Sequence, residues 1–462
     1  MRQLKHGQRA ARVSAFFHVS SVGIDIVLGS QILVGLLALF VAKSAEARRV
    51  PKAKVKSLWL HKGPVRVWQK PRYGSPIRGE IQKCGRFRTL RVLDPGGGCS
   101  HRWYQIGSEA FVCSGWSHGS SKPPSTLPDL TRRRLPGHWV VNRGPRTLFY
   151  PRLKALSKGT PQKLRVLAGF RVVGSRMLGR RAYLHTADGG WVAPNQVRSA
   201  PSTTLVGVTL SKKRDLPLAF VIKPTRFMRL RHHGSVRRHT SGSVPRHTRG
   251  SLRPIPTQHK IKPYATWKVM RRIAAGNSCF LQIRALRFIP CEAARFASSP
   301  PPPPSLVGPK EHWIDIDGQN RILYARRGRS VERVILVTLS SKTPGGIFRV
   351  EHKHVSMTLY NHRHKTPWHL EQVPHVIFFY KGFALHGAYW HNSFGTGSSH
   401  GCVNMSPTDA EWIFRFTSPN LPRGFSRIDA TPKDKGTLIR IRGQRRTVRT
   451  KWTVKESRRA SR

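Results

Sequence analysis

Cys402 lies between Gly401 and Val403, with His400 just before it and His386 upstream. A thiol attacks a carbonyl as its thiolate, and a free cysteine, with a pKa of about 8.5, is only slightly ionised at neutral pH; a nearby imidazole corrects this. Two histidines can serve. His386 ends the apolar run Phe383-Ala384-Leu385 and precedes Gly387, where the backbone can approach a ligand. His400 would share one side of an extended segment with Cys402. The competing reading of a lone cysteine is a small buried hydrophobe. A second competitor is a transition-metal site drawn from His352, His354, His362, His364, His375, His386, His391 and His400. No His-Glu-x-x-His or Cys-x-x-Cys pattern accompanies them and carboxylates are scarce, so the expected chemistry uses no metal and no cofactor.

Several elements must hold these groups. Ser406-Pro407-Thr408-Asp409 has a helix-start pattern, with Ser406 as cap, Pro407 in the first turn and Asp409 at the acid position of a capping box. The helix is predicted over Pro407–Phe416, burying Ala410, Ile413 and Phe414. Cys402 then sits on a tight turn between strand and helix, where backbone N–H groups near Gly401 and Cys402 can face an oxyanion. Val376–Tyr380 and Phe383–His386 flank Lys381-Gly382 and read as a hairpin. Trp313–Asp317 alternates as a strand and returns through Gly318-Gln319-Asn320 into Arg321–Tyr324. Val334–Leu339 is a further strand, and Thr343-Pro344-Gly345-Gly346 turns the chain into Ile347–Val350.

These segments resemble the YkuD-type L,D-transpeptidase family. Ala384-Leu385-His386-Gly387-Ala388-Tyr389-Trp390-His391 leads through Gly395 and Gly397 into Ser399-His400-Gly401-Cys402-Val403-Asn404, matching the family's spaced H-G and S-H-G-C-x-N motifs. The likeness runs from about Trp313 to Ile441 and includes Thr343-Pro344-Gly345-Gly346-Ile347-Phe348 and the late Gly436-Thr437-Leu438-Ile439. One departure is Leu339-Ser340-Ser341-Lys342, which lacks the glycine of the usual S-x-G turn. The resemblance implies that Cys402 forms a thioester with a tetrapeptide stem of peptidoglycan, expelling D-alanine, before an acceptor amine takes the acyl group. His386 would be the general base. His400 and Gly401 would orient the thiol and shape the oxyanion site, and Trp390, Asn404, Ser399 and Gly387 would contact substrate. The other function class is an envelope-binding protein whose enzyme-like domain only grips peptidoglycan.

The rest of the chain is marked by charge: 83 Lys and Arg against 20 Asp and Glu give a formal +63. Such a chain attracts polyanions. Anionic envelope polymers or a membrane surface rank ahead of nucleic acid, because no nucleic-acid-binding motif accompanies the charge. An export signal is expected over residues 1–47: basic residues, the apolar run Ile32–Ala42 and the small residues Ser44-Ala45-Glu46-Ala47, with an uncleaved anchor as the other reading. The protein is therefore expected in the periplasm or cell envelope. There Cys99–Cys113 and Cys279–Cys291 could pair as disulfides, with Cys84 nearby.

The fold class read from this pattern is mainly β: SH3-like small barrels followed by a β-rich L,D-transpeptidase domain with one or two helices. Residues 55–118 resemble a bacterial SH3-type barrel, and a second copy is placed at 160–200, where Asp188-Gly189 marks a hairpin. Residues 201–309 read as a basic, Pro-rich connector. The run Pro300–Pro304 should extend as polyproline and hold the next domain away. The catalytic domain is set at 310–443 and a patternless basic tail at 444–462.

Overall fold

Alternation in the strand His312–Asp317 organises the C-terminal half of this computed structural model. Ile314 and Ile316 point into one core, while Trp313, Asp315 and Asp317 occupy the opposite face. The structure describes residues 55–460 except 62, 83–84, 132–137, 145–146, 165–166, 213, 234–250, 276 and 362–366. The expected export signal, Cys84, His362 and His364 lie outside the described residues. The fold is mainly β, with three α-helices among the described residues.

His312–Asp317 is central in a six-stranded sheet, ordered Val208–Thr209, Ser330–Leu336, Ile322–Arg327, His312–Asp317, Leu438–Arg442, Gly346–Arg349. Its inner face carries Ile314, Ile316, Leu323, Ala325, Ile335, Ile439 and Ile441. They pack on Val355, Ile377, Phe379, Leu385, Val403 and Met405 of a second sheet, and on Ala410, Ile413 and Phe414 of the helix Pro407–Phe416. At roughly 25 cal/mol per Å² of buried apolar surface, this core is the main force holding the thiol-bearing loop in place. On the outer face, Asp315 is fully buried, which is tolerable because Arg440 (2.7 Å), Arg442 (3.3 Å) and Arg326 (3.7 Å) surround it.

The helix forms over the expected residues and buries the expected three. Ser406 Oγ accepts from the Asp409 backbone N–H at 3.1 Å. The Asp409 carboxylate does not close a reciprocal box. It accepts from Ser406 Oγ (2.9 Å), the Gly207 N–H (2.8 Å) and Arg333 (2.9 Å), tying an upstream segment to the helix. The hairpin Trp368–Tyr380/Phe383–Gly387 is also as expected, Ile377 pairing with Leu385. Lys381 and Gly382 both take positive φ, as a two-residue hairpin turn demands.

Upstream, three β-rich units are interleaved with this core. In the first, Ile77–Ile81 pairs with Phe425–Asp429, and Phe425 and Ile428 complete the cluster of Leu58, Val67, Ile81 and Val112. The second unit begins at His138, earlier than the expected 160, and its strand Leu167–Leu178 runs parallel to Trp368–Tyr380. Its Asp188-Gly189 turn does join paired strands, Leu184 opposite Val192. Both proposed disulfides, Cys99–Cys113 and Cys279–Cys291, are formed.

Residues 201–309 are not a connector. Leu218–Val221, Thr266–Lys268 and Ala294–Ala297 form one sheet, and five strands between Thr225 and Pro290 form another, around Ala219, Val221, Phe227, Leu281 and Ile289. The opposite side of the first of these sheets, Leu218 and Phe220, covers Ile322, Tyr324, Val334 and Leu336. The proline run does not hold the domain away either. Its carbonyls are captured by Arg326 (Pro301, 2.7 Å) and Arg440 (Pro302, 2.8 Å), and Pro304 is buried. Nor is the tail patternless: Lys451–Ala460 is a helix, and the backbone at Arg446 and Val448 bonds to Gly345.

Candidate active site

The thiol loop is strung between two anchors. Beyond it, Val403–Met405 pairs in parallel with Phe383–Gly387, with Leu385 opposite Val403 and His386 opposite Asn404. Before it, the Gly401 carbonyl accepts a buried 2.7 Å hydrogen bond from Thr343 Oγ1. Asn404 and Thr338 exchange two backbone hydrogen bonds of 2.8 Å. The turn that lacks the expected glycine is closed by side chains instead: the Ser340 N–H donates to Thr343 Oγ1 (3.3 Å) and the Lys342 N–H to Ser340 Oγ (3.2 Å). Gly401 has φ +138°, and a Cβ there would come 2.6 Å from the Phe383 ring, so only glycine fits.

Strand alternation sorts the side chains. Leu385 and Val403 enter the core, whereas Ala384 and Cys402 share a cluster with Val376, Phe378 and Tyr389 on the other face. His386 follows Ala384 by two residues and belongs to that face. Its Nδ1 lies 3.3 Å from the Gly387 carbonyl oxygen. A carbonyl only accepts, so Nδ1 carries the proton and Nε2 keeps the lone pair a base needs. The Trp390 ring lies 5.6 Å from the imidazole.

Burial lowers the His386 pKa to about 4, against the pull of the Gly387 carbonyl, and pushes the Cys402 thiol up to about 11. At neutral pH the pair is thiol and neutral imidazole, not an ion pair. The thiol's hydrogen bond, a long one of 4.0 Å, goes to the Gly382 carbonyl. Among the described residues the imidazole of His386 makes no hydrogen bond to Sγ.

The other expected residues fall into two groups. Ser399 Oγ accepts the Gly401 N–H at 3.1 Å, so that expected oxyanion donor is engaged within the turn. Gly387 packs where a Cβ would lie 2.9 Å from Pro374, and Asn404 is buried with its amide 3.1 Å from His391 Nε2. His400 is exposed, its ring 5.7 Å from that of Trp368.

Sequence reasoning weighed His391 only as a metal ligand; its Nδ1 lies 3.3 Å from both the N–H and the Oγ of Ser393. Burial lowers its pKa to about 4. It also missed the clamps on this loop: Arg295 donates to Gly395 O (2.7 Å) and Tyr264 to Asn392 O (2.6 Å). His391 could have been found from its place beside Trp390 in the H-G to S-H-G-C interval; the clamps come from distant sequence and left no local signal.

Comparison with known proteins bears on the same segment. Residues 311–441 match the family model of the L,D-transpeptidase catalytic domain, YkuD. The match covers that segment and not the chain as a whole. Similar solved structures include a cysteine-to-serine mutant of Enterococcus faecium L,D-transpeptidase, 18% identical over 32% of this chain and 55% of that one, TM-score 0.23. An L,D-transpeptidase from Mycobacterium smegmatis is 17% identical over 40% of this chain and 72% of that one, TM-score 0.24. L,D-transpeptidase 3 from Mycobacterium tuberculosis, in complex with a faropenem-derived adduct, is 15% identical over 39% and 74%, TM-score 0.24. This chain thus spans little more than half of the E. faecium chain. No curated protein matches it. The matched segment contains Cys402, His386 and all the other expected site residues, and its first and last strands, His312–Asp317 and Leu438–Arg442, pair side by side in the six-stranded sheet.

Proposed function

We propose that the protein is an exported L,D-transpeptidase that acylates Cys402 with a peptidoglycan tetrapeptide stem and passes the acyl group to an amine. The observation that carries this reading is the parallel pairing of Phe383–Gly387 with Val403–Met405. It puts Cys402 and His386 on one face, with His386 Nε2 free of the proton that Nδ1 holds.

In the first half-reaction Sγ adds to the carbonyl carbon before the terminal D-alanine while its proton passes to His386 Nε2. The tetrahedral oxyanion then collapses, the C–N bond breaks, and the proton leaves with the D-alanine amine. In the second, an acceptor amine adds to the thioester, gives a proton to His386, and expels the Cys402 thiol. With His386 near 4 and Cys402 near 11 in the free protein the transfer is uphill, so bound substrate has to bring the two values together, since a general base works best with a pKa near the working pH. His400 and Trp368 would line the rim, and Trp390, Asn404, Ser399, Gly387 and Gly401 would shape the cleft.

The test is turnover of a tetrapeptide-bearing muropeptide with release of D-alanine, alongside mass spectrometry for a carbapenem-type adduct. Cys402→Ser should fold and lose both signals; His386→Ala should lose roughly a hundredfold or more in rate, as removal of a general base does. A wild type that binds muropeptide without releasing D-alanine or forming an adduct would make it a peptidoglycan-binding protein instead. The +63 charge supports adhesion to anionic envelope polymers or a membrane surface. Binding to sacculi should weaken steeply with salt; salt-independent retention would remove the charge from that role.

A further inference from the structure

The seam between the second upstream unit and the strand Trp368–Tyr380 gathers two carboxylates and a histidine. Asp188 comes from the Asp-Gly turn at 188–189, while His369 and Glu371, two residues apart on the strand Trp368–Tyr380, project from one face. One ligand atom from each lies within 4.8 Å of the others, with His369 Nε2 and Glu371 Oε1 3.9 Å apart. Glu371 is wholly buried. Thr186 donates to its Oε1 at 2.8 Å, but its Oε2 has no partner.

A buried carboxylate oxygen left bare costs about 1–3 kcal/mol or more. In a chain with 83 Lys and Arg, a cationic side chain would be the ready remedy. Here the charges acting on Glu371 are those of Asp188 and His369, and burial raises its pKa. Asp188 itself accepts from Gln372 Nε2 (2.9 Å) and Thr358 Oγ1 (2.5 Å), so its carboxylate is held facing the strand.

We infer that Asp188, His369 and Glu371 bind one divalent transition-metal ion, zinc by preference, which clamps the second unit to the strand Trp368–Tyr380. One imidazole and two carboxylates form a mixed N,O set suited to zinc or manganese, whereas calcium prefers an all-oxygen shell. Ligand atoms around a tetrahedral zinc ion stand about 3.3 Å apart given bonds near 2.0 Å. The 3.9 Å pair is close to that spacing, and Asp188 completes it by exchanging a hydrogen bond from Thr358 or Gln372 for the ion. Solvent beside Asp188 would supply the fourth ligand. The ion neutralises two acids at once. This site stands apart from the thiol chemistry and does not rest on it.

The experiment uses the purified chain, stripped with chelator and titrated with zinc, manganese or calcium chloride alone. Zinc should raise the melting temperature by several degrees at saturating concentration, since only the folded state presents the set. Calorimetry and metal analysis should show one equivalent more in the wild type than in Asp188→Asn, an exposed position where folding is not at stake. Glu371→Gln should lose the same equivalent, and both variants should bind at least tenfold more weakly at that site. Equal zinc stoichiometry and affinity in wild type and Asp188→Asn would overturn the assignment, as would a calcium shift larger than that of zinc.

Discussion

Thr343 Oγ1 donates a buried 2.7 Å hydrogen bond to the carbonyl oxygen of Gly401, the residue before the thiol. The thiol therefore takes its position from a turn far upstream in sequence. Thr343→Val removes the donor while keeping the volume and strands a buried carbonyl, a loss of about 1–3 kcal/mol. Acylation of Cys402 should fall roughly tenfold or more with little change in substrate affinity, and Thr343→Ser should restore most of it. Pre-steady-state acylation by a β-lactam probe measures both.

The thiol's titration gives a second expectation. With Cys402 near 11 and His386 near 4, no ion pair forms in the free protein. Alkylation by iodoacetamide should rise about tenfold per pH unit across neutrality, following the thiolate fraction. A plateau between pH 5 and 8 would instead reveal a thiolate–imidazolium pair.

Buried histidines make the fold acid-sensitive above the range where carboxylates titrate. His375, His386 and His391 are lowered to about 4 by burial from an ordinary 6.5. Between these values the unfolded chain binds protons that the folded chain does not. Stability contributed by the neutral rings is therefore present above pH 6.5 and lost progressively as pH falls towards 4, at up to about 1.4 kcal/mol per unit for each group. Thermal melts at half-unit steps should show the decline starting near pH 6.5. A flat melting temperature down to pH 4.5 would mean that these rings are hydrated.

The YkuD segment should not behave as an independent domain. A fragment 310–443 loses Phe220 and Leu218 from over Ile322, Tyr324 and Leu336, and Val141 from over Val373 and Val376. It should bind a hydrophobic dye and aggregate, whereas residues 50–462 should melt in one cooperative step. A soluble, sharply melting fragment would refute the dependence on upstream units.

What could be read from the sequence was what local chemistry writes. Ser406-Pro407 and the apolar spacing of Ala410, Ile413 and Phe414 are enough to set a helix, and Lys381-Gly382 between β-rich runs is enough to set a hairpin. In the thiol loop, Gly401 and Ser399 are specified by the turn itself, the one by its backbone angle and the other by its hydrogen bond to the Gly401 N–H. The units within 201–309 were hidden because their short apolar strands, such as Leu218–Val221, are separated by long strands written in cations and prolines. Ser251–Ile261 has no period-two pattern and becomes a strand by pairing with Thr225–His233. The docking of Pro300–Pro304 depends on Arg326 and Arg440, side chains placed by a sheet that forms elsewhere. The long 4.0 Å thiol contact and the bare Glu371 oxygen are properties of packing, and no motif records them.

The pairing of Gly79 with Ile428 constrains the order in which the chain can mature. Synthesis delivers the first unit early, yet that unit's core stays open until Phe425 and Ile428 arrive from the far end. Contacts so distant in sequence form slowly, because the intervening chain must be ordered before they return any stabilisation. The earliest-made unit is thus the last that can close, and a ribosome-bound or partly threaded chain presents Leu58, Val67 and Ile81 uncovered. Such a polypeptide closes its first unit only after Ile428 has been made, so its shorter forms need a holding partner or a route that carries them unfolded.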